Sequence, residues 1–404
     1  MPRTTQAQRV EEGNEAQALD FFQQTLGSLP DPRRPQGVRY PLQTVVVTAL
    51  MAMVCGCDDA ESMELWGKMH EPWLGSMLPV PHGTPSQDVF LSVFAALDPA
   101  AFSAVLRSWA NLLAVRLRAT THKHIAVDGK TSRRSFDRAH DKPALHTVSA
   151  FLSEAGLVLG QCKTRDKSNE ITAIPELLQT LDLRGATVTI DAMGCQSEIA
   201  KTIVQGGGHY LLQVKDNQPT LRQQVAETFA EAADERTRAL DEQARPQVEH
   251  SVDVDKGHGR LETRSVAVCR DLAWLVTSAE RWPGLACVLQ ATRERTDLST
   301  GKTSRETSYY IGSNPDATAA EMAHTIRRHW SIENELHWVL DMAFQEDHAR
   351  HRARNTAQNM TTLRHFALNL VRRDGKRKVG IATARKSAGW DKNYLLSLLT
   401  NPVP

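Results

Sequence analysis

The chain has 404 residues, of which 41% are hydrophobic, 24% charged and 6% aromatic. These fractions are typical of a soluble globular protein and exclude collagen-like, mostly disordered and disulfide-scaffold classes. At about 100–200 residues per domain, we expect two or three domains. The net charge is +1, but segment 350–392 holds twelve Lys and Arg against two Asp and Glu, leaving 36 against 45 elsewhere. This basic segment predicts an anionic partner such as nucleic acid.

Cysteine usage and hydropathy bear on the compartment. Six cysteines are too few for a disulfide framework in a chain of this length. The two thiols of Cys55-Gly56-Cys57 are too close for an ordinary zinc knuckle. The first forty residues are polar and charged, so we expect no signal peptide. The most apolar run, Val45–Cys57, is too short to span a bilayer. We therefore expect a cytoplasmic protein with no membrane partner.

The first third of the chain has helical periodicity broken by prolines. Residues 1–20 are polar and predicted to be a frayed or disordered N-terminus, whereas residues 21–120 predict an all-helical N-terminal domain. The predicted helices in it are Leu42–Cys57, Ser62–Met69, Ser86–Ala96 and Pro99–Leu117.

The pattern then changes to short apolar strands that alternate with amphipathic helices. Residues 121–215 predict an α/β fold, a mixed sheet with flanking helices, with a hairpin turn at Gly156. Residues 216–316 combine an acidic helical stretch with β-like runs and predict an inserted α+β subdomain. A long helix is predicted within 317–348, beginning at the capping-box sequence Thr318–Glu321, and a basic helical region over 349–404.

Two of the predicted strands end in the same way. Ile125–Val127 leads into Asp128, and Val188–Ile190 leads into Asp191. A carboxylate at the tip of a buried strand is costly without a partner, although each Asp could simply cap a turn. Two such residues in one predicted sheet favour a metal-binding pair.

A third carboxylate, Glu333, lies within the predicted long helix. Steps of four residues place His329, Glu333 and His337 on one stripe, with Arg328 beside it. Glu333 could be an ordinary solvated charge on this helix. The three residues of the stripe could also chelate zinc, but the neighbouring arginines argue against that.

Asp128, Asp191 and Glu333 together would form an all-oxygen site suited to Mg²⁺ or Mn²⁺. Two such ions can activate a water or a 3′-hydroxyl and stabilise the leaving oxygen of a phosphodiester. Phosphoryl transfer needs positioning and electrostatics more than a nucleophilic side chain.

Several segments in order along the chain resemble DDE transposases of bacterial insertion sequences, in the branch that includes the H-repeat-associated proteins. The matching segments are Ile125–Lys130, Lys167–Ile171, Ile190–Gln196, Tyr210–Gln218, His329–Asn334 and Leu340–Asp347. The resemblance extends from about Pro30 to Leu370, nearly the whole chain.

This resemblance implies a ribonuclease-H-like catalytic domain. Asp128 on the first strand, Asp191 on the fourth and Glu333 on a late helix would be its catalytic and metal-binding residues. The 142 positions from Asp191 to Glu333 would hold the inserted, partly β subdomain. The implied activity is metal-dependent cleavage of transposon ends and transfer of the 3′-hydroxyl into target DNA, in a dimeric complex.

The sequence departs from the family pattern on the last helix. Broader relatives carry Tyr, Arg, Glu and Lys at spacings of three, four and seven, where this chain has Ile326, His329, Glu333 and Leu340. Arg328 and His337 are the candidates to replace the missing phosphate contacts.

Double-stranded DNA is the expected partner, held mainly through its phosphates. The predicted DNA contacts are Arg328, His329, His337, Lys215, Asn217, Gln218, Arg350, Arg352, Arg354, Arg372, Arg373, Lys376, Arg377 and Lys378. A solvated basic helix would explain the C-terminal members equally simply, and a turn would explain positions 215–218.

Two further functions are compatible with the same residues. A transposase-derived protein could bind DNA without turnover, although three carboxylates argue against this. A metal-dependent nuclease could cut DNA without joining strands.

Overall fold

In the computed structural model of the protein, the structure describes residues 26–116, 123–136, 143–164, 170–233, 246–275, 281–373 and 379–400. The predicted N-terminus 1–20 and the predicted DNA contacts Lys376, Arg377 and Lys378 lie outside these ranges. All six cysteines are within them and are free thiols.

The N-terminal region is helical, as its periodicity indicates. Its helices are α1 (Leu42–Val54), α2 (Ala60–Met69), α3 (Glu71–Met77), α4 (Gln87–Ala96) and α5 (Pro99–Arg116). Helix α1 is buried along almost its whole length, which explains its continuous apolar sequence. Among the described residues no single helix is long and apolar enough to cross a membrane, while one pair bent by 92°, Gln87–Ala96 with Pro99–Leu112, meets the criterion jointly by length and composition.

A mixed sheet of nine strands forms the centre of the molecule. Its strands are β1 (Lys123–Ser132), β2 (Leu145–Leu152), β3 (Leu157–Thr164), β4 (Ala186–Ile190), β5 (His209–Val214), β6 (Val248–Gly257), β7 (Arg260–Cys269), β8 (Cys287–Asp297) and β9 (Thr303–Gly312). The spatial order is β3-β2-β1-β4-β5-β9-β8-β7-β6. Strands β1, β4 and β5 are mutually parallel, and β2 and β3 run antiparallel to their neighbours. This five-stranded order is the ribonuclease-H-like core, so the predicted fold class is confirmed.

Helices cover both faces of this core. They include α6 (Glu170–Leu178), α7 (Ser197–Gln205) and α8 (Pro219–Ala233). Ile125, Ala126 and Val127 of β1 are completely buried, as expected for a strand enclosed on both faces. The predicted hairpin between β2 and β3 forms, with Gly156 at φ 64°.

The residues predicted to form an inserted α+β subdomain, 216–316, contain helix α8 and strands β6–β9. These strands are continuous with the central sheet, because β9 pairs antiparallel with β5 and extends it. The outermost strand, β6, is exposed along most of its length. The insertion is therefore a lateral extension of the core, which single-strand patterns could not reveal.

The predicted long helix is divided into three parts. It begins with α9 (Ala319–His329), continues through a π-helical turn (Ile332–His337) and ends with α10 (Trp338–Phe344). The predicted capping box is confirmed, because Glu321 N donates to Thr318 Oγ1 at 3.2 Å and Thr318 N donates to Glu321 Oε2 at 2.8 Å. A continuous α-helix through Glu333 is wrong, since the backbone widens there.

The C-terminal region consists of α11 (Thr356–Arg372), α12 (Ile381–Trp390) and α13 (Lys392–Thr400). Helix α11 is buried from Thr356 to Val371 except for Gln358. Asn369 exchanges two hydrogen bonds of 2.9 Å with the backbone of Val158 on β3. Asn359 Nδ2 donates to the carbonyls of Phe94 and Leu97 at 2.8 and 2.9 Å. The helix predicted to be a basic surface element instead joins the N-terminal helices to the sheet, and the two predicted terminal regions share one hydrophobic core.

Candidate metal centre and nucleic-acid interface

The two strand-end carboxylates lie on adjacent parallel strands. Val127 of β1 pairs with Ile190 of β4, so Asp128 and Asp191 follow directly at the same end of neighbouring strands. Adjacent strands are about 4.8 Å apart. The two carboxylates are close enough to each other that the charge of Asp191 raises the pKa of Asp128.

The position of Asp191 is set by a tight turn. Its Oδ1 accepts hydrogen bonds from the backbone N–H groups of Met193 at 3.1 Å and Gly194 at 3.3 Å. The simple interpretation of this Asp as a turn cap is therefore correct, and it is compatible with a place beside Asp128. A carboxylate with one oxygen tied to two amides keeps the other oxygen for a ligand.

Two residues predicted to contact DNA hold this turn from the next strand. Asn217 Nδ2 donates to the carbonyl of Ala192 at 2.8 Å, and Gln218 Nε2 donates to that of Cys195 at 3.0 Å. Both follow β5 directly, where their amides reach across the gap between parallel strands. Asn217 is nevertheless exposed, and the contacts with DNA expected of both residues stay a prediction. Lys215 remains exposed, and its charge lowers the pKa of Asp191.

The π-helical turn brings Glu333 and His337 against Asp128. His337 Nδ1 lies 3.1 Å from Glu333 Oε2 and 3.5 Å from Asp128 Oδ2. One ligand atom from each of the three residues lies within 4.8 Å of the other two. We call Asp128, Glu333 and His337 the bridging triad. Asp191 is outside this set. Of the predicted trio Asp128, Asp191 and Glu333, the structure therefore brings Asp128 and Glu333 together around His337, and Asp191 follows the strand next to that of Asp128.

The electrostatics of the site differ from residue to residue. Burial raises the pKa of Asp128 to about 6, an effect that nearby His337 reduces and Asp191 and Glu170 increase. Burial also raises the pKa of Asp191. The hydrogen bond from His337 lowers the pKa of Glu333, whose side chain is 56% exposed.

This donor set fits a divalent cation. Burial and repulsion by a neighbouring carboxylate both destabilise the ionised form of a carboxyl group, and a cation bound between two such groups offsets both effects. Asp128 and Asp191 have that character, and Glu333 gives the cluster a side open to solvent. The carboxylates required by the sequence hypothesis are therefore present in an arrangement that would accept a metal ion.

Glu170, the first residue of α6, was missed as a site residue. It is 5% exposed, and its charge raises the pKa of both Asp128 and Asp191. Its Oε1 lies 2.5 Å from His146 Nε2, and His146 Nδ1 lies 2.7 Å from Thr131 Oγ1. The segment Lys167–Ile171 belonged to the family resemblance, but nothing in its local pattern indicated burial next to the strand-end carboxylates.

Gly129 explains how this buried network approaches β1 so closely. A Cβ at this position would lie 2.4 Å from Glu170 Oε1 and 2.7 Å from His146 Nε2. Only glycine leaves room for a carboxylate and an imidazole against the strand.

Lys130 was also missed. Its ammonium lies 2.8 Å from Asp341, 3.5 Å from Asp347 and 3.8 Å from Glu346. These contacts join β1 to the end of α10, immediately beyond the bridging triad. The signal in the sequence was the acidic segment Leu340–Asp347, whose partner could not be identified without the fold.

Arg328 and His329 are half-buried and make contacts within the protein. Arg328 bonds Glu335 at 3.0 Å and the carbonyl of Ser153. His329 Nδ1 lies 2.8 Å from Thr189 Oγ1, which lies 2.7 Å from His124 Nε2. These contacts fasten α9 to the sheet, and the phosphate contacts expected at the two positions stay a prediction.

The C-terminal arginines divide into two groups. Arg350, Arg352 and Arg354 are exposed, with Arg352 5.5 Å from the ring of Phe136. Arg372 donates to the carbonyl of Gly156 at 2.8 Å, and burial lowers its pKa to about 10. Arg373 lies over the ring of Trp109 at 5.8 Å. Arg372 and Arg373 are half-buried with partners inside the protein, and the DNA contacts expected of them stay a prediction.

Strand order, paired strand-end carboxylates and a helical glutamate together define a ribonuclease-H-like fold. The family model described as Transposase DDE domain matches residues 119–370, and the DDE_Tnp_1-associated model matches residues 23–110. The chain belongs to the DDE transposase family.

Two similar proteins are from Escherichia coli strain K12. YbfL and the protein named "H repeat-associated putative transposase YhhI" are each 36% identical over 384 residues, which cover 94% of this chain and 98% of theirs. Among solved structures, the synaptic complex of piggyBac transposase with hairpin DNA has 9% identity and a TM-score of 0.37, over 97% of this chain and 83% of that one.

Proposed function

We propose that the protein is an active DNA transposase that cleaves transposon ends and transfers the exposed 3′-hydroxyl into target DNA, using a divalent metal. The observation that carries this proposal is the position of Asp128. It lies beside Asp191 on the parallel strand and is within 3.5 Å of the imidazole that also contacts Glu333.

Asp128, Asp191 and Glu333 would hold Mg²⁺ or Mn²⁺, two ions by the family expectation. When bound, such ions activate a water or 3′-hydroxyl and stabilise the leaving oxygen. Asp128 would be central to this site, since it follows β1 beside Asp191 and lies 3.5 Å from the imidazole that contacts Glu333.

The protein's own contribution is orientation. The amides of Met193 and Gly194 fix one oxygen of Asp191, and the side chains of Asn217 and Gln218 fix that turn. Such fixed groups lower the barrier because they need no rearrangement when charge develops. The exposed carboxylate of Glu333 leaves an approach for a DNA strand.

DNA contacts are proposed for the exposed cations around this opening. Lys215 is exposed beside Asp191, and Arg350, Arg352 and Arg354 are exposed after α10. They would neutralise phosphates, an effect that weakens as salt rises. We further propose that the protein acts in the cytoplasm and as a homodimer that pairs two transposon ends.

A nuclease without strand joining and a DNA-binding descendant without turnover are the alternatives. One experiment separates the three functions. Labelled DNA carrying the inverted repeats that flank the coding region is incubated with the protein, a plasmid target and Mg²⁺ or Mn²⁺. Joined products support a transposase, cut products alone indicate a nuclease, and a shifted but uncut band indicates a binding protein.

A further inference from the structure

We propose that His337 is a nitrogen ligand of the metal held by the bridging triad, and that this site consequently prefers Mn²⁺ to Mg²⁺. The inference rests on the proposed function for the use of the metal, and it changes the all-oxygen site expected from the sequence into a mixed one.

The distances are those of neighbouring ligands around one ion. His337 Nδ1 is 3.1 Å from Glu333 Oε2 and 3.5 Å from Asp128 Oδ2. Bonds of about 2.0–2.2 Å at right angles separate neighbouring ligand atoms by about 3 Å. A donor nitrogen therefore lies where an octahedral ion held by these two carboxylates would need its next ligand.

Burial argues that the imidazole has a specific task. The side chain of His337 is 5% exposed, against 56% for Glu333 one turn earlier. Within the described part of the chain, its Nε2 is buried with no hydrogen-bond partner, as is Nδ1 of the neighbouring His365. The only polar groups that His337 contacts there are the two carboxylates, so its ring is oriented by the cluster itself.

The backbone supports the same conclusion. Glu333 and His337 lie in the π-helical turn Ile332–His337, which interrupts the helix between α9 and α10. Such turns interrupt the regular α-helical hydrogen bonding and are frequently found at functional sites. Here the wider turn lets both side chains face Asp128, while His329 one turn earlier is directed to Thr189.

An imidazole ligand changes which metal is favoured. Mg²⁺ prefers oxygen ligands, whereas first-row transition ions bind imidazole well and bind more tightly in general. Two carboxylates with one imidazole therefore favour Mn²⁺ over Mg²⁺, and the preference should depend on residue 337.

The test uses the full-length protein without DNA. Mn²⁺ binding is measured by electron paramagnetic resonance, with Mg²⁺ as competitor, and nitrogen coordination is detected as ¹⁴N modulation of the bound Mn²⁺ signal. We expect ¹⁴N modulation in the wild type and in the control His250→Gln, whose histidine is exposed on β6. His337→Gln should abolish the modulation and reduce the preference for Mn²⁺ over Mg²⁺ by at least about 10-fold.

Absence of ¹⁴N modulation in wild-type protein, or its persistence in His337→Gln, would overturn the inference. A wild-type spectrum without ¹⁴N modulation overturns the inference whether or not the variant folds, and His337→Asn serves as the second variant if His337→Gln does not fold. Because no DNA is present, the outcome is independent of strand joining. Nitrogen-coordinated Mn²⁺ without DNA cleavage would count against the proposed function alone, and cleavage with purely oxygen-coordinated Mn²⁺ would count against this inference alone.

Discussion

The strand-borne and the helix-borne carboxylates of the site are held in opposite ways. Asp128 and Asp191 are at least half-buried at strand ends, and burial raises the pKa of both. Glu333 is exposed on a π-helical turn, and its hydrogen bond with His337 lowers its pKa. The sheet thus supplies two fixed carboxylates whose ionised forms are destabilised by burial. The helix supplies a carboxylate whose ionised form is stabilised and which solvent and substrate can reach.

The largest expected effect comes from removing a strand-borne charge. Asp191→Asn should reduce cleavage of terminal-repeat DNA by at least about 1,000-fold, because the amide preserves the shape but not the charge. Binding in a gel-shift assay should remain near the wild-type level. The control is Asp216→Asn, since this Asp is 93% exposed and only weakly paired with Arg222. Cleavage by the Asp191 variant at the wild-type rate would remove this residue from the site.

Stability should respond to pH in opposite directions at the two kinds of carboxylate. The pKa of Asp128 in the folded state, about 6, exceeds its ordinary value of 3.8, so its contribution to stability is present at low pH and lost as pH rises from about 4 to 6. Asp128→Asn should therefore stabilise the metal-free protein at pH 7 by up to about 3 kcal/mol, with no gain below pH 4.

Glu333→Gln provides the opposite sign. Its lowered pKa stabilises the fold above its ordinary value of 4.5, and that contribution is lost as pH falls through the lower folded-state pKa. This variant should be slightly less stable than wild type at pH 7. Urea unfolding across the pH range, with chelator present, measures both effects. If the Asp128 and Glu333 variants changed the free energy of unfolding at pH 7 in the same direction, the contrast between the two kinds of carboxylate would be wrong.

The close contact of Glu170 and His146 with the backbone of β1 at Gly129 can be disrupted by adding one methyl group. Gly129→Ala places a Cβ within 2.7 Å of Glu170 and His146, and it should destabilise the fold by about 1–3 kcal/mol in urea unfolding. Gly257→Ala is the matched control on a strand, because a Cβ added there would have nothing within 4 Å. Equal stability of the two variants would show that Glu170 and His146 can move away from the added methyl group at little cost in free energy.

The smallest expected effect concerns the turn that orients Asp191. Asn217→Ala removes a 2.8 Å hydrogen bond to the carbonyl of Ala192 and should lower the cleavage rate about 10-fold. DNA affinity should stay unchanged, since the amide is engaged within the protein. Lys215→Ala should do the reverse, weakening DNA binding and its salt dependence. A loss of affinity in the Asn217 variant would restore the original hypothesis of a DNA contact.

Local patterns were sufficient for much of the fold. Apolar runs ending in Asp identified β1 and β4, and the parallel pairing of Val127 with Ile190 brings those ends together. The Thr318 capping box and the Gly156 hairpin are determined within a few residues, so they could be identified from sequence. The extension of the sheet by β6–β9 could not, because pairing between β5 and β9 joins residues about a hundred positions apart.

The site was predictable only where a residue's role follows from its immediate neighbours. Grouping His329 with Glu333 and His337 by their four-residue spacing assumed a continuous α-helix. Glu333 and His337 instead lie in the π-helical turn, and His329 lies before that turn with Thr189 as its partner. Counting charges cannot show burial, so the internal contact of Arg372 with the Gly156 carbonyl could not be foreseen from the sequence. Glu170 and Lys130 have partners 24 and 211 residues away, and those distances in sequence hide their contacts.

Helix α11 ties the beginning of the chain to its catalytic sheet, through Asn359 on one side and Asn369 on the other. Its residues follow both partners in the chain, so neither the N-terminal helices nor β3 can complete their packing until α11 has been synthesised. A chain that stops before Thr356 would therefore leave apolar surface of both regions uncovered, and we expect it to aggregate rather than to fold as a shorter protein.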